Sequence, residues 1–224
     1  MLSTYFFDLD GTLCDSRPGL ALSFEAAFAE LGMYPGNLSR FLGVSLPEAF
    51  RTLDPSIDDH GIGRGIKAFR AAYEQEGIRL TPEYPGIRDL LECLTSRGAT
   101  AWIVTSKPQK YASKVVENSQ VLSKYIAGVV GTGLKEEEHK TELLQIAIRR
   151  SRANVNRSIM VGDRCYDVVG AINNEMRPVG ALWGYGTKKE LKQAGCHDFC
   201  HDPYELRDAF VVPNGVLEPI AAVC

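Results

Sequence analysis

The chain has no stretch approaching the roughly 18 consecutive apolar residues that a membrane span requires, so no membrane-embedded role is expected. Strand-forming residues begin within a few positions of Met1, so no secretory leader is expected and a cytoplasmic location is. An excess of basic residues is also missing: 25 Lys and Arg face 28 Asp and Glu, a formal net charge of -3. That balance argues against a surface for nucleic-acid polymers, though not against a local anion pocket. Paired cysteine spacing is absent too. Six cysteines (Cys14, Cys93, Cys165, Cys196, Cys200 and Cys224) are scattered through 224 residues, a distribution that favours reduced thiols over a disulfide framework. The run Cys196-His197-Asp198-Phe199-Cys200-His201 superficially resembles a zinc knuckle. No second ligand pair stands at a zinc-finger spacing, so it reads as a short loop and strand.

What the chain does have is concentrated first in Tyr5-Phe6-Phe7-Asp8-Leu9-Asp10-Gly11-Thr12-Leu13. Residues 3–7 are aromatic and β-favouring and read as a buried strand, with Gly11 a place to turn off the sheet. Asp8 and Asp10 therefore stand at a strand's C-terminal end. Alternate side chains of a strand share a face, so both carboxylates can point at one site. Two like charges that close need a cation, a proton or a division of labour. One carboxylate attacking, the other carrying a proton and a divalent cation neutralising the cluster is one such division.

Beyond this strand the pattern turns helical. Leu20, Phe24, Ala27, Phe28 and Leu31 recur at helical spacing, a short helix is expected near Glu48 to Leu53 and a longer one through Ile66, Phe69 and Tyr73. No strand is expected between residues 15 and 80. After Pro82 and Pro85, an amphipathic helix carries Ile87, Leu90, Leu91 and Leu94, and then strand and helix alternate. Strands are expected at 101–104, 126–130, 158–161 and 178–183, and helices at 111–118, 140–150, 166–174 and 188–194. Such alternation argues an α/β fold: a Rossmann-like parallel sheet with helices on both faces, plus an inserted α-helical domain. The expected division is a core of residues 1–15 and 82–212, a helical unit of residues 16–81 and a tail of residues 213–224. At this length one full core plus a smaller module fits.

Three expected strands end in reactive polar residues: Asp8 and Asp10, then Thr105 and Ser106, then Asp163. Ligands of open α/β sheets bind beyond the strands' carboxyl ends, so these groups can converge. Lys140 opens a helix after Glu136-Glu137-Glu138, and Asp167 follows Asp163 by one helical turn. Taken singly, each has a plain structural role: Thr105 and Ser106 as turn residues, Lys140 as a surface lysine paired with the glutamates. Lys107, beside Pro108, reads as solvent-facing.

Phe-Asp-Leu-Asp-Gly-Thr-Leu, Val-Thr-Ser-Lys, a lysine opening a helix and Val-Gly-Asp-x-x-x-Asp together resemble the four ordered motifs of the haloacid dehalogenase superfamily. Within it the chain resembles the phosphatase branch with a helical cap. Tyr84-Pro85-Gly86, Val161-Gly162-Asp163-Arg164 and residues 179–186 look similar to phosphoglycolate phosphatases and related 5′-nucleotidases. The resemblance implies that Asp8 attacks the phosphorus of a phosphomonoester and that Asp10 serves as general acid and base. It implies Mg²⁺ held by the Asp8 carboxylate, the Asp10 backbone carbonyl and Asp163, with Asp167 orienting a water or Lys140. Thr105, the Ser106 backbone N–H and Lys140 would hold the phosphoryl oxygens.

Specificity is expected in the helical insert. Arg40, Phe41, Gly43 and Leu46 match a loop that approaches substrate in relatives, and Arg40 is a candidate partner for a carboxylate or second phosphate. A cap favours a small soluble phosphate ester, with 2-phosphoglycolate ahead of nucleoside monophosphates. A sugar phosphomutase, a dehalogenase and a non-catalytic binding protein on the same fold are the competing readings. Oligomeric state is not legible.

Overall fold

The computed structural model describes residues 4–41, 45–134 and 138–211. Gly43, Glu136, Glu137 and the expected tail at 213–224 lie outside them.

Six strands form one sheet, all pairs parallel: β1 (Thr4–Phe7), β2 (Thr100–Pro108), β3 (Ile126–Thr132), β4 (Ser158–Gly162), β5 (Arg177–Ala181) and β6 (Asp198–Cys200). Their order is β3-β2-β1-β4-β5-β6, so the chain leaves β1 for one side of the sheet and returns to β4 on the other. The point between β1 and β4 is where the direction of winding reverses, the place at the strands' carboxyl ends where open α/β sheets bind their ligands. Register is set by Phe7 opposite Ile103 on one side and Val161 on the other.

Helices cover both faces of the sheet, α4 (Ile87–Ser96), α5 (Gln109–Asn118), α6 (Leu122–Tyr125) and α9 (Lys188–Gln193) among them. On one, Phe6, Val104, Val130 and Met160 pack with Leu143, Leu144 and Ala147 of α7 (Lys140–Ser151) and Ala171 of α8 (Cys165–Ile172). On the other, the Tyr5 hydroxyl donates to the Phe210 carbonyl at 2.7 Å, which ties down α10 (Pro203–Phe210). The alternation of Tyr5, Phe6 and Phe7 thus divides β1 between two cores, as a strand buried on both faces requires.

The chain divides into two compact units, residues 1–15 with 83–224 and residues 16–82. The second unit is helical: α1 (Arg17–Glu30), a 3-10 turn (Leu38–Phe41), α2 (Leu46–Leu53), α3 (Asp59–Gln75) and a final 3-10 turn (Gly77–Arg79). Its interior is a cluster of rings in which Phe24, Phe28, Phe41, Phe50 and Phe69 meet at centroid separations of 5.0–5.9 Å. In the sheet unit the chain ends flanking this insert lie side by side, the Tyr84 N–H donating to the Leu13 carbonyl at 3.0 Å.

Two expectations shift and one holds. β2 does not stop before Thr105 but continues to Pro108, with an irregularity between Val104 and Pro108 in its pairing with β3. The knuckle-like run keeps its expected loop-and-strand form as β6, with Cys196 and Cys200 buried and His197 and His201 exposed. Finally α10 ends the described chain where no helix was expected, capped by Asp202 and started by Pro203. No helix among the described residues is long and apolar enough to cross a membrane.

Candidate active site

The site begins with the turn after β1. The N–H groups of Thr12, Leu13 and Cys14 all point to the Leu9 carbonyl, and the Gly11 N–H donates to the Cys14 carbonyl at 2.8 Å. Gly11 adopts φ 86°, in the left-handed region that favours glycine. A Cβ there would also stand 2.5 Å from Asp163 Oδ2, so only glycine lets the turn lie against the end of β4.

Asp8, Asp163 and Asp167 converge from the ends of β1 and β4 and the first turn of α8, each with a carboxylate oxygen within 4.8 Å of the others. All are buried. Lys140, the first residue of α7, reaches into this cluster: its Nζ lies 2.9 Å from Asp8 Oδ1 and 2.8 Å from Asp167 Oδ1, and donates to the Val104 carbonyl at 3.0 Å. Asp163 is fixed by the Thr12 hydroxyl donating to Oδ1 at 3.1 Å and the Tyr185 N–H donating to Oδ2 at 2.8 Å. Gly184 and Gly186 leave room for the Asp163 side chain and carbonyl, where a Cβ would collide. The Trp183 indole N–H donates to the Thr12 carbonyl at 2.9 Å, so the loop after β5 closes over the same turn.

Burial first, and neighbouring charges second, shift how readily these carboxylates hold a proton. Burial, then Asp8 and Asp167, push Asp163 up to about 7, against the pull of its two hydrogen bonds. Burial pushes Asp8 up to about 6, with Lys140 lowering it and Asp167 and Asp10 raising it. For Lys140, burial favours the neutral amine, but Asp167 and Asp8 outweigh it and hold the ammonium charged.

A divalent cation fits this donor set. Three buried carboxylates face one ammonium, and Asp8 Oδ1 and Asp167 Oδ1 accept no hydrogen bond beyond their contact with it. An all-oxygen, net-negative cluster is the ligand chemistry of Mg²⁺. Asp167 Oδ2 accepts the Arg164 N–H at 3.0 Å, so this residue is pinned between helix start and lysine.

Asp10 does not join the carboxylate cluster. Its two oxygens instead meet the Lys107 ammonium at 2.7 and 2.6 Å. The expectation of a solvent-facing Lys107 is therefore corrected: its side chain is 7% exposed and lies in the site, because β2 runs past Thr105 and carries the lysine to the end of β1. Thr105 is buried beside it, its hydroxyl oxygen accepting the Lys107 N–H at 3.1 Å and leaving its own proton to donate. Ser106 is exposed, and its carbonyl accepts the Thr132 hydroxyl at 3.0 Å.

Sequence reasoning missed Lys107, Thr12 and the Trp183–Gly186 loop. The aromatic and glycine pattern after β5 was the only signal for that loop. In the helical unit Arg40 is exposed and its guanidinium stacks 4.6 Å over the Phe41 ring.

A sequence profile described as haloacid dehalogenase-like hydrolase matches residues 5–181, and the chain belongs to that family. Its activity class within the family is that of a phosphatase. A protein named 5′-nucleotidase from Pseudomonas aeruginosa is 30% identical over 90% of this chain and 92% of its own length. A phosphoglycolate phosphatase from Vibrio parahaemolyticus is 28% identical over 88% and 90%. A protein named tyrosine-protein kinase PtkA from Mycobacterium tuberculosis is 32% identical over 92% and 72%. Among solved structures, a predicted phosphatase from Clostridium acetobutylicum superposes with a TM-score of 0.82 at 28% identity, covering 93% of this chain and 98% of that one.

Proposed function

We propose that the chain is a Mg²⁺-dependent phosphomonoesterase that works through an aspartyl-phosphate on Asp8, with 2-phosphoglycolate as its substrate. The observation that carries this reading is the separation of the two aspartates at the end of β1: Asp8 sits in the buried carboxylate cluster with Lys140, Asp10 outside it on Lys107.

The Asp8 carboxylate, the Asp10 carbonyl and Asp163 would hold Mg²⁺, which when bound offsets negative charge around the transferring phosphoryl group. An Asp8 oxygen attacks phosphorus, the bond from phosphorus to the leaving oxygen breaks, and the Asp10 carboxyl gives its proton to that oxygen. Water then loses a proton to Asp10 and attacks the same phosphorus, releasing inorganic phosphate and restoring the Asp8 carboxylate. Thr105, through its free hydroxyl proton, the Ser106 N–H and Lys140 hold the phosphoryl oxygens. Asp167 keeps Lys140 in place.

The helical unit of residues 16–82 is the proposed source of substrate choice, acting as a cap with Arg40 and Gly43 as contacts. The relative named 5′-nucleotidase supports nucleoside monophosphates as the second reading. A panel of 2-phosphoglycolate, nucleoside monophosphates, sugar phosphates and an aryl phosphate separates them by phosphate release with Mg²⁺. Preference for 2-phosphoglycolate supports the first reading, and preference for nucleotides replaces it with the second. Isomerised sugar phosphate without free phosphate would overturn hydrolysis altogether.

A further inference from the structure

We propose that Lys107 is a positioning residue for this reaction: it clamps both oxygens of Asp10 and so holds that carboxylate apart from the carboxylate cluster, facing the leaving group. The inference rests on the phosphomonoesterase reading above.

Two observations beyond the ion pair support it. First, the backbone that carries Lys107 is braced on several sides. Its N–H donates to the Thr105 hydroxyl at 3.1 Å, and the Thr132 hydroxyl holds the carbonyl of Ser106 at 3.0 Å. The Gly131 N–H donates to the Gln109 side chain at 2.8 Å, and a Cβ on Gly131 would stand 2.6 Å from the Lys107 carbonyl. β3 therefore approaches this turn as closely as glycine permits. A lysine that only solvates a surface needs no such bracing.

Second, the two lysines of the site are divided between the two aspartates. Lys140 serves Asp8 and Asp167, while Lys107 serves Asp10. Without Lys107 both Asp10 oxygens lose this ammonium, and rotation of the carboxylate away from its present plane removes the acid from the leaving oxygen. With Lys107 in place, each Asp10 oxygen meets the same ammonium, which fixes the plane of the carboxylate. When one oxygen carries the proton for the leaving group, the other still accepts from Nζ. A misplacement of about 1 Å in such a group costs on the order of 10²-fold in rate.

The test compares wild type, Lys107→Met and Lys107→Arg on an alkyl phosphate and on an aryl phosphate, with Mg²⁺, by steady-state and rapid-mixing kinetics. An aryl leaving group departs without a proton, so the first half-reaction loses its need for Asp10 while the second keeps it. In Lys107→Met, kcat for the alkyl ester is expected to fall about 10²-fold with KM within about threefold of wild type. The aryl ester should give a burst of phenolate followed by slow turnover, and Lys107→Arg should recover part of the rate.

Unchanged kcat in Lys107→Met would overturn the proposal, as would a rise in KM with no burst, which would make the lysine a substrate contact. Should the methionine variant not fold, Lys107→Gln serves in its place, with melting curves run on each. A wild type inert on every ester refutes the phosphatase reading, whereas an active wild type indifferent to Lys107 refutes only this inference.

Discussion

Asp8 and Asp10 are two residues apart and chemically identical, yet their surroundings differ. Asp8 is buried in the carboxylate cluster against Lys140. Asp10 is paired with Lys107 at the edge, its side chain 22% exposed. Replacing Asp8 by Asn should remove the proposed nucleophile while keeping the shape, and turnover should fall by more than about 10³-fold in a steady-state assay. Lys140→Met should act on stability as well as rate, because it strands Asp8 and Asp167 without their cation. Loss of one partner from a buried ion pair costs about 3–5 kcal/mol, readable from urea melts of the metal-free protein. Most of these residues were legible in the sequence as polar groups ending hydrophobic runs. Lys107 was not, since a lysine next to proline after a strand has no local mark of burial. Thr12 escaped for a different reason: its partner Asp163 is 151 positions away.

At the scale of elements, the site depends on close backbone approaches that only glycine allows. Gly131 lets the end of β3 press on the turn carrying Thr105 and Lys107. Gly131→Ala should therefore destabilise the protein by about 1–3 kcal/mol and slow the reaction, seen as a shifted denaturation midpoint together with a lowered kcat. The strand–helix alternation was readable because each unit is long and the periodicity changes cleanly between them. α10 was harder to read, because it shows only a cap and a proline. The extension of β2 past Thr105 also escaped, because Ser106 and Lys107 are polar and the pairing there is irregular.

For the whole molecule, titration and metal binding are linked. Asp8 and Asp163 hold their protons to about 6 and about 7 in the folded metal-free protein, above the ordinary value of 3.8 for each. The folded state thus binds more protons than the unfolded one, and these two groups contribute less stability as pH rises from about 4 through about 7. Their contribution is complete below the unfolded value and lost above the folded one. In EDTA, the melting temperature of wild type should carry a downward component over that window, and Asp163→Asn should diminish it. Mg²⁺ should bind more tightly as pH rises, since binding displaces those protons, and at about 100 times its dissociation constant it should add about 2.7 kcal/mol. A melting curve without that component, or one that Mg²⁺ leaves unmoved at neutral pH, would show that the carboxylates are not the cation's ligands. The order of the six strands, which brings β1 and β4 together at the site, required the structure: periodicity reports elements but not which of them become neighbours.

The most direct test of the central claim is to trap the intermediate. Enzyme with Mg²⁺ is mixed with a phosphate ester labelled on phosphorus, quenched in acid within the first turnover, and digested for mapping of the label. Label on the peptide containing Asp8, lost in Asp8→Asn and cleared on longer incubation as free phosphate appears, is the predicted result. Phosphate released at full rate with no label on Asp8, or label on another residue, would contradict it.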